Sequence, residues 1–136
     1  MKLTALIVDD EASILTTLRA ILEGRGFEVH EASSAKVAKE KIAGALDFDL
    51  VITDMKMETD IAGYEVVSAA NRLPRPPVTI IISAYSNLSR DWKERGANAA
   101  FDKPTNILEL LKTMDALLQK RERHLATAAR GKNKRA

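Results

Sequence analysis

Apolar positions along the chain alternate between two periods. Leu3 to Val8 is a run apolar at every position but Thr4 that suits a strand buried on both faces. Between Ala12 and Glu23, Ile14, Leu15, Leu18, Ile21 and Leu22 recur at helical spacing, and Gly24 and Gly26 mark the stop. Phe27 to His30 alternates like a strand, after which Ser33 and Ser34 offer caps to a helix carrying Val37, Ala38, Ile42 and Ala45. Leu50 to Ile52 predicts a third strand, and Met55 to Ala62, without any period, predicts a loop. Tyr64, Val66, Val67 and Ala70 predict a third helix, stopped by Pro74, Pro76 and Pro77. Val78 to Ile82 is rich in β-branched residues and reads as the fourth strand. A short helix over Leu88 to Arg95, a stop at Gly96 and a weak strand over Ala97 to Phe101 lead to Pro104. The last helix begins near Thr105 and carries Ile107, Leu108, Leu111, Met114, Leu117 and Leu118.

Five strand-helix repeats predict an α/β domain, a doubly wound parallel sheet with helices on both faces and right-handed crossovers. In such sheets a ligand binds outside the carboxyl ends of the strands, at the topological switch point. The strands end there in Asp9-Asp10, Asp54 and Ser83, with Lys103 just past the fifth. Carboxylates brought so close repel one another unless a cation neutralises them, and an all-oxygen donor set selects a hard ion such as Mg²⁺. With that metal and Lys103 drawing off negative charge, Asp54 is able to attack a phosphoryl group. Ser83 is placed to donate a hydrogen bond to the transferred oxygens.

Composition adds limits. The chain has 136 residues, enough for one core and short of two, with 46% apolar and 29% charged residues. It has no cysteine, which excludes disulfides, thiol catalysis and thiolate metal sites. The opening apolar run is too short for a signal peptide and no stretch approaches a membrane span, so a cytoplasmic location is expected. The overall charge of +2 conceals an asymmetry: from residue 119 onward seven Lys or Arg face Glu122 alone, +6, so residues 1–118 carry −4.

The motifs Ile7-Val8-Asp9-Asp10-Glu11, Ile52-Thr53-Asp54-Met55-Lys56-Met57, Ser83-Ala84, Gly96-Ala97 and Lys103-Pro104 stand in an order that resembles the CheY-like receiver domains of response regulators. The resemblance covers roughly Leu3 to Leu118. It implies a flavodoxin-like fold with five strands in the order 2-1-3-4-5 and five helices. It further implies that Asp54 accepts phosphate from a histidine kinase or phosphotransfer protein in a two-component phosphorelay. Asp10 and Asp54 would bind Mg²⁺ with the Lys56 backbone carbonyl, and Asp9 mainly through water. Ser83 and Lys103 would hold the phosphoryl group, and the Lys103-Pro104 bond would be cis. The protein would catalyse only its own phosphorylation and dephosphorylation, and signal by a conformational change to a downstream partner.

Some positions depart from the family pattern. Ala100 occupies the place of the usual aromatic switch, and the neighbouring Phe101 points to the other face of its strand. Tyr85, two residues after Ser83, is large enough to gate the site or is a plain surface tyrosine, and the Lys56 side chain is expected close enough to modulate the lifetime of the phosphate. Glu58 replaces a typical proline, and one extra residue precedes Gly63, so the loop is either more mobile or differently routed. The segment from Ser83 to Gly96 is short, which implies a short fourth helix or partly a loop. His30 and His124 take no role.

Residues 1–118 are therefore read as a receiver domain and residues 119–136 as a basic extension, either a helical continuation or disordered. The extension is too short to bury a core, so for a chain of this extent output is expected to pass to a partner protein or another histidine. Leu111, Leu118 and Leu125 recur every seven residues, as in a seam for a second copy. A solvated end is the plainer reading of the basic charges, and contact with nucleic acid or an anionic membrane the alternative. Two other functions compete. A haloacid-dehalogenase-like phosphohydrolase would need its nucleophile on the first strand in an Asp-x-Asp pattern, and here the two aspartates are adjacent. A pseudo-receiver scaffold fits Ala100 but not the complete acceptor set.

Overall fold

The computed structural model describes residues 2–84 and 91–135, with residues 131–135 described by their backbone alone. Five strands, β1 (Thr4–Val8), β2 (Glu28–Ala32), β3 (Leu50–Asp54), β4 (Val78–Ser83) and β5 (Ala99–Asp102), pair in parallel in the order β2-β1-β3-β4-β5. Four helices accompany them among the described residues: α1 (Ala12–Gly24), α2 (Ala35–Ile42), α3 (Ala62–Asn71) and α4 (Ile107–Arg135).

The two-residue period of the strands divides the core into two layers. Ala5, Ile7, Leu50, Ile52, Ile80 and Ile82 face α1 and α4, meeting Leu15, Leu18, Leu22, Leu110 and Met114. Leu6, Val8 and Val51 face α2 and α3, with Ala38, Ile42, Val66 and Ala70. β3 and β4 are buried along their whole length, which is why their sequences are nearly continuous apolar runs. The chain crosses from β1 to β2 on one side and reaches β3 on the other, so the order reverses between the carboxyl ends of β1 and β3.

Several boundaries differ from the sequence pattern for local reasons. α2 stops at Ile42, with Ala43 capping its end, and Ala45 is exposed beyond it. α4 starts at Ile107 because the Asn106 side chain accepts the Glu109 amide at 3.2 Å, an N-cap. The short helix expected over residues 88–95 falls partly on residues 85–90, outside the described residues. Its remainder, residues 91–96, is turn: Arg95 N donates to Asp91 O and Gly96 N to Lys93 O, and Gly96 at φ 94° ends the segment. Ser34, as expected, caps α2 by accepting the Val37 amide at 3.1 Å.

α4 is 29 residues long, about 43 Å, and runs continuously through the basic extension. Leu111 and Leu118 pack, half-buried, against the chain's own core and so belong to the domain's apolar stripe. Past them Arg121 ties the helix back to the base of the sheet. It donates to Asp49 Oδ1 at 2.8 Å and to the Pro76 carbonyl at 2.8 Å, while Asp49 Oδ2 accepts the Thr4 amide at 2.9 Å.

Candidate functional site

Each candidate residue stands where a strand's apolar run ends. Asp54 is the last residue of β3 and Ser83 the last of β4; Asp9 and Asp10 follow β1, and Lys103 follows β5. The sheet register sets Asp54 beside Ile82 and Ser83 beside Asp102, and Lys103 N donates to the Ser83 carbonyl at 2.8 Å. One oxygen from each of Asp9, Asp10 and Asp54 lies within 4.8 Å of the others. Asp9, Asp54 and Ser83 are buried, at 2%, 9% and 1% exposure, while Asp10 opens to solvent.

Lys103 Nζ reaches into this cluster, 3.0 Å from Asp9 Oδ2 and 3.4 Å from Asp54 Oδ1. Backbone amides fix both carboxylates: Glu11 N donates to Asp9 Oδ1 and Met55 N to Asp54 Oδ1, each at 2.9 Å. Burial, reinforced by the charge of Asp9, pushes the Asp54 carboxyl up to about 6 against the opposing pull of Lys103 and the Met55 amide. Burial lowers the Lys103 ammonium, but its hydrogen bond to Asp9 and the charges of Asp54 and Asp9 outweigh that and hold it above its usual value. Among the described residues, three carboxylates facing one ammonium leave a formal charge of −2 in a largely buried crevice. An oxygen-only donor set with one solvent-facing side fits a hard divalent cation that keeps part of its water, as Mg²⁺ does.

The loop after Asp54 is held at two points. Gly63 N donates to the Met55 carbonyl at 2.8 Å, and a Cβ at Gly63 would lie 2.5 Å from the Asp54 carbonyl oxygen, so only glycine lets α3 approach the end of β3 this closely. Glu58 reaches across to α2, its two oxygens accepting the Ala35 and Lys36 amides at 2.9 and 3.0 Å. Burial raises the Glu58 carboxyl, but these amide bonds prevail and hold it below its usual value. The residue in the typical proline position thus caps a neighbouring helix. The Gly63 contact and the Glu58 cap are features that sequence reading alone did not assign.

Lys56 is exposed and its ammonium lies 3.7 Å from Asp60. Ala100 is half-buried against Met55, Tyr64, Val67, Ile81, Ala97 and Trp92, and Phe101 packs on the opposite face of β5, as its alternation predicts. Tyr64 donates to Asp91 at 2.6 Å beneath the Arg95 guanidinium, so an aromatic ring still occupies this side of the sheet although Ala100 does not supply one. The Lys103-Pro104 bond is cis, as expected. Tyr85 lies outside the described residues. His30 lies edge-on to Phe48, and His124 lies on α4. No helix among the described residues is long and apolar enough to cross a membrane.

Residues 5–115 match the family model described as the response regulator receiver domain. Among curated proteins the chain is 36% identical over 117 residues to the transcriptional regulatory protein ZraR of Escherichia coli strain K12, covering 83% of this chain and 26% of ZraR. It is 29% identical over 116 residues to the transcriptional regulatory protein SrrA of Staphylococcus aureus, covering 85% of this chain and 47% of SrrA. The chain thus spans between a quarter and a half of the length of these relatives. Among solved structures it is similar to a CheY-like receiver domain protein from Methanospirillum hungatei, with a TM-score of 0.79 and 29% identity over 91% of this chain and 99% of that one. It is also similar to the response regulator TrrA from Thermotoga maritima, solved in complex with Mg²⁺-BeF, with a TM-score of 0.72 and 30% identity over 86% of this chain and 99% of that one.

Proposed function

The chain belongs to the response regulator receiver domain family, and from that premise we propose that it accepts a phosphoryl group on Asp54 from a phosphohistidine, in a Mg²⁺-dependent step of a cytoplasmic two-component relay. The observation that carries this reading is the charge imbalance at the carboxyl edge of the sheet, where among the described residues Asp9, Asp10 and Asp54 converge and Lys103 is the cation ion-paired with them. Asp9, Asp10, Asp54 and the Lys56 carbonyl would hold the metal, which when bound offsets the negative charge of carboxylate and phosphoryl oxygens. The Mg²⁺-BeF complex of the Thermotoga relative supports that assignment.

The chain's own residues do the rest. Met55 N and Lys103 Nζ both address Asp54 Oδ1, which leaves Oδ2 to attack phosphorus. The P–N bond to the donor histidine breaks as the P–O bond to Asp54 forms, and the electron pair returns to the imidazole. Lys103, already bonded to Asp9, neutralises the transferred oxygens, and Ser83 donates to one of them. Hydrolysis of the acyl phosphate by water restores Asp54. Phosphorylation biases a pre-existing conformational equilibrium that a downstream protein reads. Asp91 and Tyr64 link the segment after β4 to α3 on the side where Ala100 stands.

The test is an intact-mass measurement after incubation with acetyl phosphate and Mg²⁺. One acid-labile phosphoryl group is expected, absent from Asp54→Ala and from a sample with the metal chelated. A folded protein that gains nothing, or an Asp54→Ala variant that gains as much as the parent, overturns the assignment and leaves a protein-binding scaffold as the better reading.

A further inference from the structure

The far half of α4 carries charge that the domain does not use. Its inner face is committed: Leu110, Met114 and Leu117 enter or flank the core, and Arg121 is bonded to Asp49 and the Pro76 carbonyl. On the other side, Lys120, Arg123 and Arg130 are exposed, and among the described residues none of them makes an ion pair. Steps of three and four residues place Lys120, Arg123, Thr127 and Arg130 in one stripe, about 150° around the helix from the buried face. Glu122, the single acid after residue 118, lies about 120° away from that stripe. The backbone remains helical to Arg135, and that stretch adds Lys132, Lys134 and Arg135.

We propose that this stripe binds the phosphate backbone of duplex nucleic acid, without reading its sequence. A helix about 10–12 Å wide matches a groove of similar width, and a row of Lys and Arg with a threonine hydroxyl is the chemistry that contacts phosphates. The stretch from residue 119 has no Phe, Tyr or Trp on which unpaired bases would stack, which disfavours single strands. Beyond Leu125 it has only alanine as an apolar residue, and so lacks the bulky face that an interfacial membrane helix buries. The inference does not rest on the proposed phosphorylation, since it uses no residue of the carboxylate cluster.

The full chain is titrated against a fluorescently labelled duplex of about 20 base pairs at 50 and 200 mM salt. The three basic residues of the stripe give a slope of log affinity against log salt near −3, a loss of about 40-fold across that range. Lys120→Gln/Arg123→Gln/Arg130→Gln should weaken binding at least about tenfold at 50 mM salt and flatten the slope by about 3. Lys36→Gln/Lys93→Gln, which changes exposed charge on the body, should stay within about twofold of the parent, and Asp54→Asn should bind as the parent does. The proposal is overturned if no duplex is retained at 50 mM salt, or if the body variant loses as much as the stripe variant. It is equally overturned if anionic vesicles of phosphatidylserine and phosphatidylcholine are bound more tightly than duplex at the same salt.

Discussion

The two edges of the sheet hold charged clusters of opposite logic. At the amino edge, Asp49 and Arg121 form a closed pair: their side chains are 22% and 15% exposed, and backbone groups of Thr4 and Pro76 bond their remaining atoms. One negative charge meets one positive charge, and each guanidinium nitrogen has an acceptor. At the carboxyl edge, three carboxylates share one ammonium, and burial together with Asp9 pushes Asp54 up to about 6. The same residue types therefore do different work. A balanced buried pair holds a helix to a sheet, whereas an unbalanced one stores repulsion that an incoming cation or a change of protonation relieves.

This contrast has a sign that mutation reads. Arg121→Met strands Asp49 without its charge partner and should destabilise the fold by about 2–3 kcal/mol, measured by urea denaturation. Asp54→Asn should do the reverse in metal-free buffer at pH 7, stabilising by on the order of 1–2 kcal/mol, because it removes a carboxylate that the fold disfavours in its charged form. The pH dependence follows from the direction of the shift. A carboxyl that titrates near 6 folded and near 3.8 unfolded binds more protons in the folded state between those values. Its penalty is absent below the lower value and complete above the upper one. Parent stability should then fall relative to Asp54→Asn as pH rises from about 4 to 6; curves that run parallel would contradict the imbalance. The smallest effect is expected at Glu58→Ala, which removes the cap of α2 for about 0.5–1 kcal/mol and speeds hydrogen exchange at the Ala35 and Lys36 amides.

The carboxyl edge was legible in the sequence because a buried strand advertises its own end. Asp9, Asp54 and Ser83 each interrupt an apolar run, and the parallel topology brings such interruptions together on one side. The amino edge was not legible. Arg121 and Asp49 are 72 residues apart, and nothing local distinguishes that arginine from the exposed Lys120 or Arg123 beside it. The leucines at 111, 118 and 125 fit a coiled-coil seam and an amphipathic stripe equally well, and only packing shows that Leu111 and Leu118 meet the chain's own core. Glu58 and Gly63 belong to the same class: a helix cap supplied by a residue 23 positions away, and a backbone approach too close to admit a Cβ, leave no periodic trace.

The most direct test of the charge imbalance is thermal unfolding at pH 7 as Mg²⁺ is added. An ion held by the three carboxylates stabilises the folded state by about 1.4 kcal/mol at tenfold excess over its dissociation constant, a rise in Tm of roughly 4 °C for a chain of this size. That rise should vanish in Asp9→Asn/Asp10→Asn and persist in Arg121→Met, whose Tm starts lower. A Tm that ignores Mg²⁺ in the parent, or a rise that survives loss of Asp9 and Asp10, would contradict the assignment of the carboxyl edge as a cation site.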